Sequence, residues 1–186
     1  SVPVASVAGF AVGEKIALGY GEILLPKGWG GVRRWAEERL AAVMGLAPAM
    51  LERGLDQMVG RVRGIGALLD QDLGSRYALD RFVERGPGIR GRAFGPGLLV
   101  CIFSGNVPGI PAFDMALALA LKSACLVRVA AGEPHFAPLF ARSVAEVDAQ
   151  LGEALYVGRW SHEESAPYQR AGAVLAYGSD QSIAAI

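Results

Sequence analysis

The sequence predicts an α/β protein: a parallel sheet with flanking helices, preceded by a mainly helical N-terminal segment. Three observations carry that expectation. Continuous apolar runs at 98–103, 125–130, 154–158 and 173–177 have the character of strands buried on both faces. Helical patterns separate these runs, and strand–helix alternation at ~20–30 residues per unit is the mark of parallel strands joined by right-handed crossovers. Before about residue 94 the apolar positions recur at helical spacing instead.

GYGEILLP, at 19–26, reads as a short strand bounded by turns. From 32 to 46 the pattern is helical, with Ala36, Leu40, Val43 and Ala47 spaced by four, three and four. Pro48 then stands where a second helix begins. Leu51, Leu55, Met58, Val62, Ile65 and Leu69 alternate spacings of four and three. They form one apolar stripe along a helix of about five turns. Fewer than three heptads make a short coiled-coil seam, and Gly54, Gly60, Gly64 and Gly66 weaken the helix in isolation. It is therefore expected to pack against the rest of the protein. A further helical piece is expected at 77–83.

GPGIRGRAFGPG, at 86–97, marks a boundary that divides the chain into 1–93 and 94–186. Its first six residues match G-x-G-x-x-G, but that fingerprint must follow a strand and open a helix. Here it is read as following a helix and preceding a strand, so it is set aside as a phosphate loop. Beyond it, a helix at 108–122 follows the first strand. A second helix, opened by Pro134, aligns Phe136, Leu139, Phe140, Val144, Val147 and Leu151 on one face. A third, at 163–170, is short.

Composition narrows the function. A hydrophobic fraction of 52% over 186 residues suits a buried core and excludes disorder. Eighteen basic residues balance eighteen acidic ones, so no net field draws the chain to nucleic acid or an anionic membrane. Arg81, Arg85, Arg90 and Arg92 cluster, which reads as a solvated loop in preference to a phosphate or CoA contact. No stretch reaches the ~20 apolar residues of a membrane span. The start, SVPVASVAGF, lacks the basic region of a signal peptide; because it opens on Ser1, the true N-terminus is expected to be processed or missing. Cys101 and Cys125 sit inside apolar runs, as core thiols of a protein in a reducing cytoplasm. His135 and His162 lack ligand spacing, so no metal is assigned. Ser104 lacks the G-x-S-x-G elbow of a serine hydrolase.

In open parallel sheets, ligands bind beyond the carboxyl ends of the strands. Ser104-Gly105-Asn106-Val107-Pro108-Gly109 follows the first strand, Ala131-Gly132-Glu133-Pro134 the second, and Gly178-Ser179-Asp180-Gln181 the fourth. Small residues at such turns either cap helices or receive a phosphate, and at this point both readings stand. Asn106 is either a turn residue or a donor to an oxyanion. Arg128, inside an apolar strand end, requires an anionic partner, which is either a structural carboxylate or a ligand phosphate.

The stretch GPGLLVCIFSGNVPGIPAFDMALALALKSACLVRVAAGEP, with AGAVLAYGSDQSIAAI, resembles the aldehyde dehydrogenase superfamily. There a strand ends in an Asn-x-Pro turn, the next strand ends near a lysine, and a later strand runs into a Gly-Ser turn. SGNVPG, LYVGRW and AYGSD bring it closer to the LuxC-like acyl-CoA reductases that supply aldehyde to bacterial luciferase. The resemblance covers about 94–186 and implies a Rossmann-like NAD(P)-binding core, incomplete at its C-terminus, on which 1–93 is expected to pack through its apolar stripe. It implies that Asn106 is the oxyanion donor. Ser104 and Gly105 would line the cofactor cleft, and Arg128 would stand at the lysine that contacts the adenosine ribose. Gly178 and Ser179 would lie beside the pyrophosphate, and Gly158 near the adenine pocket with Trp160 close by. Ala131 replaces a glutamate that holds the ribose hydroxyls in many NAD-preferring members, which favours NADPH, with NAD as the alternative. The nucleophilic cysteine and its activating glutamate would come after Ile186, and neither Cys101 nor Cys125 aligns with that nucleophile. The implied activity is acyl-CoA reduction to an aldehyde through a cysteine thioester, with an acyl-CoA or aldehyde substrate and a homo-oligomeric full-length protein. The alternatives are an NAD(P)-dependent aldehyde dehydrogenase or glutamyl-phosphate-reductase relative, and a non-catalytic nucleotide-binding or assembly module.

Overall fold

In the computed structural model the chain is described at residues 40–104, 109–161 and 163–184. The expected strand at 19–26, most of the helix at 32–46, the turn holding Gly105 and Asn106, and His162 lie outside those residues.

Four strands, β3 (Leu98–Ile102), β4 (Ala124–Arg128), β5 (Leu155–Gly158) and β6 (Ala173–Ala176), form one sheet in the order β5-β4-β3-β6. Every pairing in it is parallel, with Cys101 opposite Val127 and Leu175, and Arg128 opposite Gly158. Each strand lies within two residues of its predicted run. Helix α3 (Ile110–Ala120) links β3 to β4, and α4 (Phe136–Val147) leads from β4 toward β5. Both cover one face of the sheet, where Leu99, Cys101, Cys125 and Val127 meet Ala112, Met115, Phe136 and Phe140. After β5 the direction of strand addition reverses. The segment from Trp160 to Ala171 crosses the opposite face, where Trp160, Tyr168 and Ala171 cover Leu98, Val100, Ile102, Ala124 and Leu126.

The periodic stripe forms α2 (Pro48–Leu73), whose 26 residues make about seven turns rather than five. Pro48 occupies its first turn, and Gly74, at φ 70°, ends it in the left-handed conformation that glycine adopts without strain. Leu51, Leu55 and Met58 are buried in the same cluster as the sheet and α3. Ile65 and Leu69 pack with Leu79 against the far end of α3. The preceding turn, α1 (Ala41–Met44), buries Leu40 and Ala41 but leaves Val43 half exposed, so the stripe predicted through Val43 does not hold there. Gly109, at φ 85°, lets α2 approach the start of α3: a Cβ there would stand 3.0 Å from the Met58 side chain.

Four expectations are corrected. The helix at 77–83 is only a 3-10 turn (Arg76–Leu79), and Val83 already belongs to a strand. An antiparallel hairpin, β1 (Val83–Gly86) with β2 (Ile89–Gly91), runs into the boundary segment, so the G-x-G-x-x-G match spans the hairpin turn and β2 and opens no helix. Pro87 and Gly88 make its turn, Gly88 supplying φ 72° at the position that demands it. On α4 the apolar face stops at Val144. Asp148 is extended and its carboxylate accepts from Leu151 N at 3.1 Å, starting the short α5 (Ala149–Gly152) and leaving Val147 86% exposed and Leu151 exposed. The described residues of 163–170 form turns rather than a helix. One strand also departs from type: β6 lies at the sheet edge with Val174 exposed, so it is not covered on both faces. Among the described residues no helix is long and apolar enough to cross a membrane.

Candidate functional site

The strand exits converge. Beyond the strands proper, Phe103 N donates to Arg128 O at 3.2 Å, Tyr177 N to Ile102 O at 2.9 Å, and Val129 N to Gly158 O at 3.1 Å. These bonds hold the turns after β3, β4, β5 and β6 side by side at one edge. Because the sheet adds β4 on one side of β3 and β6 on the other, the edge contains a topological switch point, the place where open parallel sheets bind ligands.

A cleft of about 350 Å³ opens there. Ser104, Arg128, Ala131, Gly178 and Ser179 all line it, brought together from three separate turns, with Trp160 and Arg159 beside them. Gly158 is the exception among the described candidates: it lies buried at the end of β5, where its carbonyl is taken by Val129, and it does not line the cleft. Gly105 and Asn106 lie outside the described residues. The helix after Gly178 and Ser179, α6 (Asp180–Ile183), is a single turn.

Arg128 is half-buried, and its Nε donates to the Trp160 carbonyl at 3.0 Å. That bond uses one of the guanidinium's five N–H groups. Among the described residues no carboxylate pairs with it. The structural-carboxylate alternative therefore finds no support there, and Arg128 is one of the residues that line the cleft. Trp160 is itself fixed, its Nε1 donating to Tyr168 Oη at 3.1 Å.

Sequence reasoning missed two residues of this region. Tyr177 lines the cleft, stacks on Phe103 with centroids 5.9 Å apart, and donates its hydroxyl to Asp114 Oδ1 at 3.3 Å. Asp114 is 1% exposed, and burial pushes its carboxyl up to about 6. Burial, then the neighbouring Asp114, pushes the Tyr177 phenol up to about 12. The available signal was a lone carboxylate in the otherwise apolar IPAFDMALALA. Glu133, also buried, caps α4 by accepting from His135 N at 2.9 Å and Phe136 N at 2.8 Å.

The two cysteines face each other on neighbouring strands with Sγ atoms 3.8 Å apart, both buried. The hydrogen bond between them, and then burial, pushes the Cys101 thiol well up, away from the thiolate that a nucleophile requires. Among the described residues no group of three or more His, Cys, Asp or Glu is gathered to hold a metal.

Comparison with known proteins adds two findings. The family model for acyl-CoA reductase (LuxC) matches residues 25–186. A long-chain acyl-protein thioester reductase of Photorhabdus luminescens is 28% identical over 127 residues. That alignment takes in 64% of this chain and 26% of the relative, so the chain spans about a quarter of the length of that protein.

Proposed function

The chain belongs to the LuxC acyl-CoA reductase family, and from that membership we propose that it forms the cofactor-binding part of an NADPH-dependent reductase of acyl thioesters. The observation that carries this reading is Arg128: a guanidinium in the wall of a switch-point cleft, without a carboxylate partner among the described residues. A half-buried arginine in such a place is costly unless an anion completes it. A phosphate presents two oxygens to its fork, a pairing stronger than neutral hydrogen bonds. Ala131, exposed two residues beyond Val129 and lining the same cleft, leaves room and no negative charge where a ribose 2′-phosphate would sit.

The residues fit a dinucleotide. In this Rossmann-like reading Arg128 holds the adenosine end, and Gly158, which does not line the cleft, is left without a contact to the nucleotide. Gly178 and Ser179 line the path of the pyrophosphate, Ser104 lines the cleft toward the reacting end, and Gly105, outside the described residues, is proposed to join it there. When bound, the cofactor supplies the hydride that reduces a thioester to an aldehyde. Asn106 is proposed to donate its side-chain N–H to the carbonyl oxygen as negative charge develops there. The thiol that captures the acyl group is proposed to lie outside these 186 residues. Neither buried cysteine is exposed to receive it, and capture by a thiol divides one hard step into two. The proposed substrate is a long-chain acyl thioester, of the kind named for the Photorhabdus relative.

Titration of the chain with NADPH and NADH, followed by nucleotide fluorescence, tests this. Arg128→Ala is expected to weaken NADPH binding by about 10- to 100-fold, the loss of a charge-assisted pair, and NADH binding by much less. Ala131→Glu is expected to reverse the preference. Equal affinity of the unsubstituted chain for both nucleotides, unchanged in Arg128→Ala, refutes the assignment.

A further inference from the structure

Three cavities meet on the Tyr177 side chain. On one side is the cleft at the strand exits. On the other is a groove of about 550 Å³ between α2 and α3, walled by Met50, Met58, Ile110 and Phe113 with Arg53 and Arg61 at its rim. A third, small cavity is lined by Phe103, Ser104, Ile110 and Glu133, and Tyr177 borders all three spaces. The ring is held from two directions. Its face stacks on Phe103, and its hydroxyl reaches Asp114 at 3.3 Å.

Asp114 has no packing reason to be a carboxylate. It is 1% exposed on a helix of otherwise apolar residues, and its Oδ2 has no hydrogen-bond partner among the described residues. A leucine or methionine would fill the site without burying an unsatisfied oxygen. What the carboxyl adds is an acceptor for one hydroxyl, aimed at the side chain that separates the two larger spaces. We propose that Asp114 is a positioning residue, which anchors Tyr177 as the wall between the nucleotide cleft and the groove between α2 and α3. The identity of the nucleotide rests on the function proposed above; the anchor does not. With the wall fixed, a nucleotide in the cleft meets the ring in the same place each time.

The test uses the full chain with Asp114→Leu, Asp114→Asn, Tyr177→Phe and the Leu/Phe double variant. Two measurements are made: NADPH titration, and the Tyr177 resonance in protein labelled with 13C-tyrosine, assigned from its loss in Tyr177→Phe. Asn keeps a carbonyl acceptor for the hydroxyl. Asp114→Leu is expected to move the Tyr177 resonance and to weaken NADPH binding about fivefold, as does Tyr177→Phe, while Asp114→Asn stays within about twofold of the parent on both counts. The double variant is expected to match either single one, because both remove the same bond. Rescue by Asn and this non-additivity separate anchoring from a general loss of fold, which thermal melts of each variant report independently. A Tyr177 resonance unmoved by Asp114→Leu overturns the proposal. So does a moved resonance with NADPH affinity unchanged, or a double variant whose losses multiply. If the unsubstituted chain fails to bind NADPH, the cofactor assignment falls, and the resonance alone decides the anchor.

Discussion

Replacing Asp114 by asparagine changes the pH dependence of stability in a direction and by an amount that the structure sets. The native carboxyl keeps its proton up to about pH 6 because burial opposes its charge, whereas the unfolded one releases it near 3.8. Between those values the native state binds more protons than the unfolded one. The stability that the raised value confers is therefore complete below pH 3.8 and is lost as pH rises through about 6. At ~1.36 kcal/mol per pH unit, the gap amounts to about 3 kcal/mol, and about half of it falls between pH 5 and pH 8. Asparagine is neutral throughout and escapes this loss. Urea unfolding of both proteins, followed by tryptophan fluorescence, measures the difference directly. The advantage of Asp114→Asn over the parent is expected to grow by about 1.5 kcal/mol from pH 5 to pH 8, with equal dependence on urea concentration. The sign of the trend is what matters, since the amide's own N–H groups carry a cost that does not vary with pH. A difference that stays flat across this range would mean that Asp114 ionises freely in the native protein, and the burial argument would fail.

Three further outcomes are expected. Cys101 and Cys125 should resist a thiol reagent such as DTNB until the chain is unfolded, because both are buried and the Cys101 thiol is held protonated; labelling of native protein within minutes would contradict this. Glu133→Ala removes the acceptor for two backbone N–H groups at the start of α4 and should cost about 1–2 kcal/mol in urea unfolding, largely recovered by Glu133→Gln; equal losses for both variants would rule out the capping role. Leu55→Ala, at a position with no exposed surface, should cost about 2–5 kcal/mol, whereas Met50→Ala, at 61% exposure on the same helix, should cost less than about 1 kcal/mol; similar losses at the two sites would mean that α2 does not bury the face assigned to it.

The parallel sheet was legible because its signal is redundant: each strand is a continuous apolar run, and each of the first two is followed by a helix with its own period. Helix α2 was legible for the same reason. The elements that escaped are those whose pattern is too short to show a period. The hairpin β1–β2 offers only seven residues in two strands, and its outward Ile89 and glycine-flanked turn carry no alternation to read. The end of α4 failed differently. Val147 and Leu151 fit the helical spacing, but Asp148 found a better use for its carboxylate as a cap and broke the helix between them. Of the candidate site, the turns after the strands were placed by topology alone, so Ser104, Arg128, Ala131, Gly178 and Ser179 converge as that topology requires. Gly158 was placed by the resemblance, yet as the last residue of β5 it spends its carbonyl on the neighbouring ladder. Asp114 and Tyr177 were not legible as a pair. They stand 63 residues apart, and only the packing of α3 on the sheet brings them together.

The glycine- and proline-rich stretch at 86–97 looks like a hinge between 1–93 and 94–186, but the packing of α2 makes it mechanically quiet. Leu51, Leu55 and Met58 share their neighbours with Leu99, Ala112 and Met115, so the oily interior runs without interruption past that stretch. A piece beginning at Phe94 would carry α3 with one flank stripped bare. Heating the whole should give one heat-absorption peak rather than two, and a protease should find little to cut at 86–97 until the entire described body lets go at once.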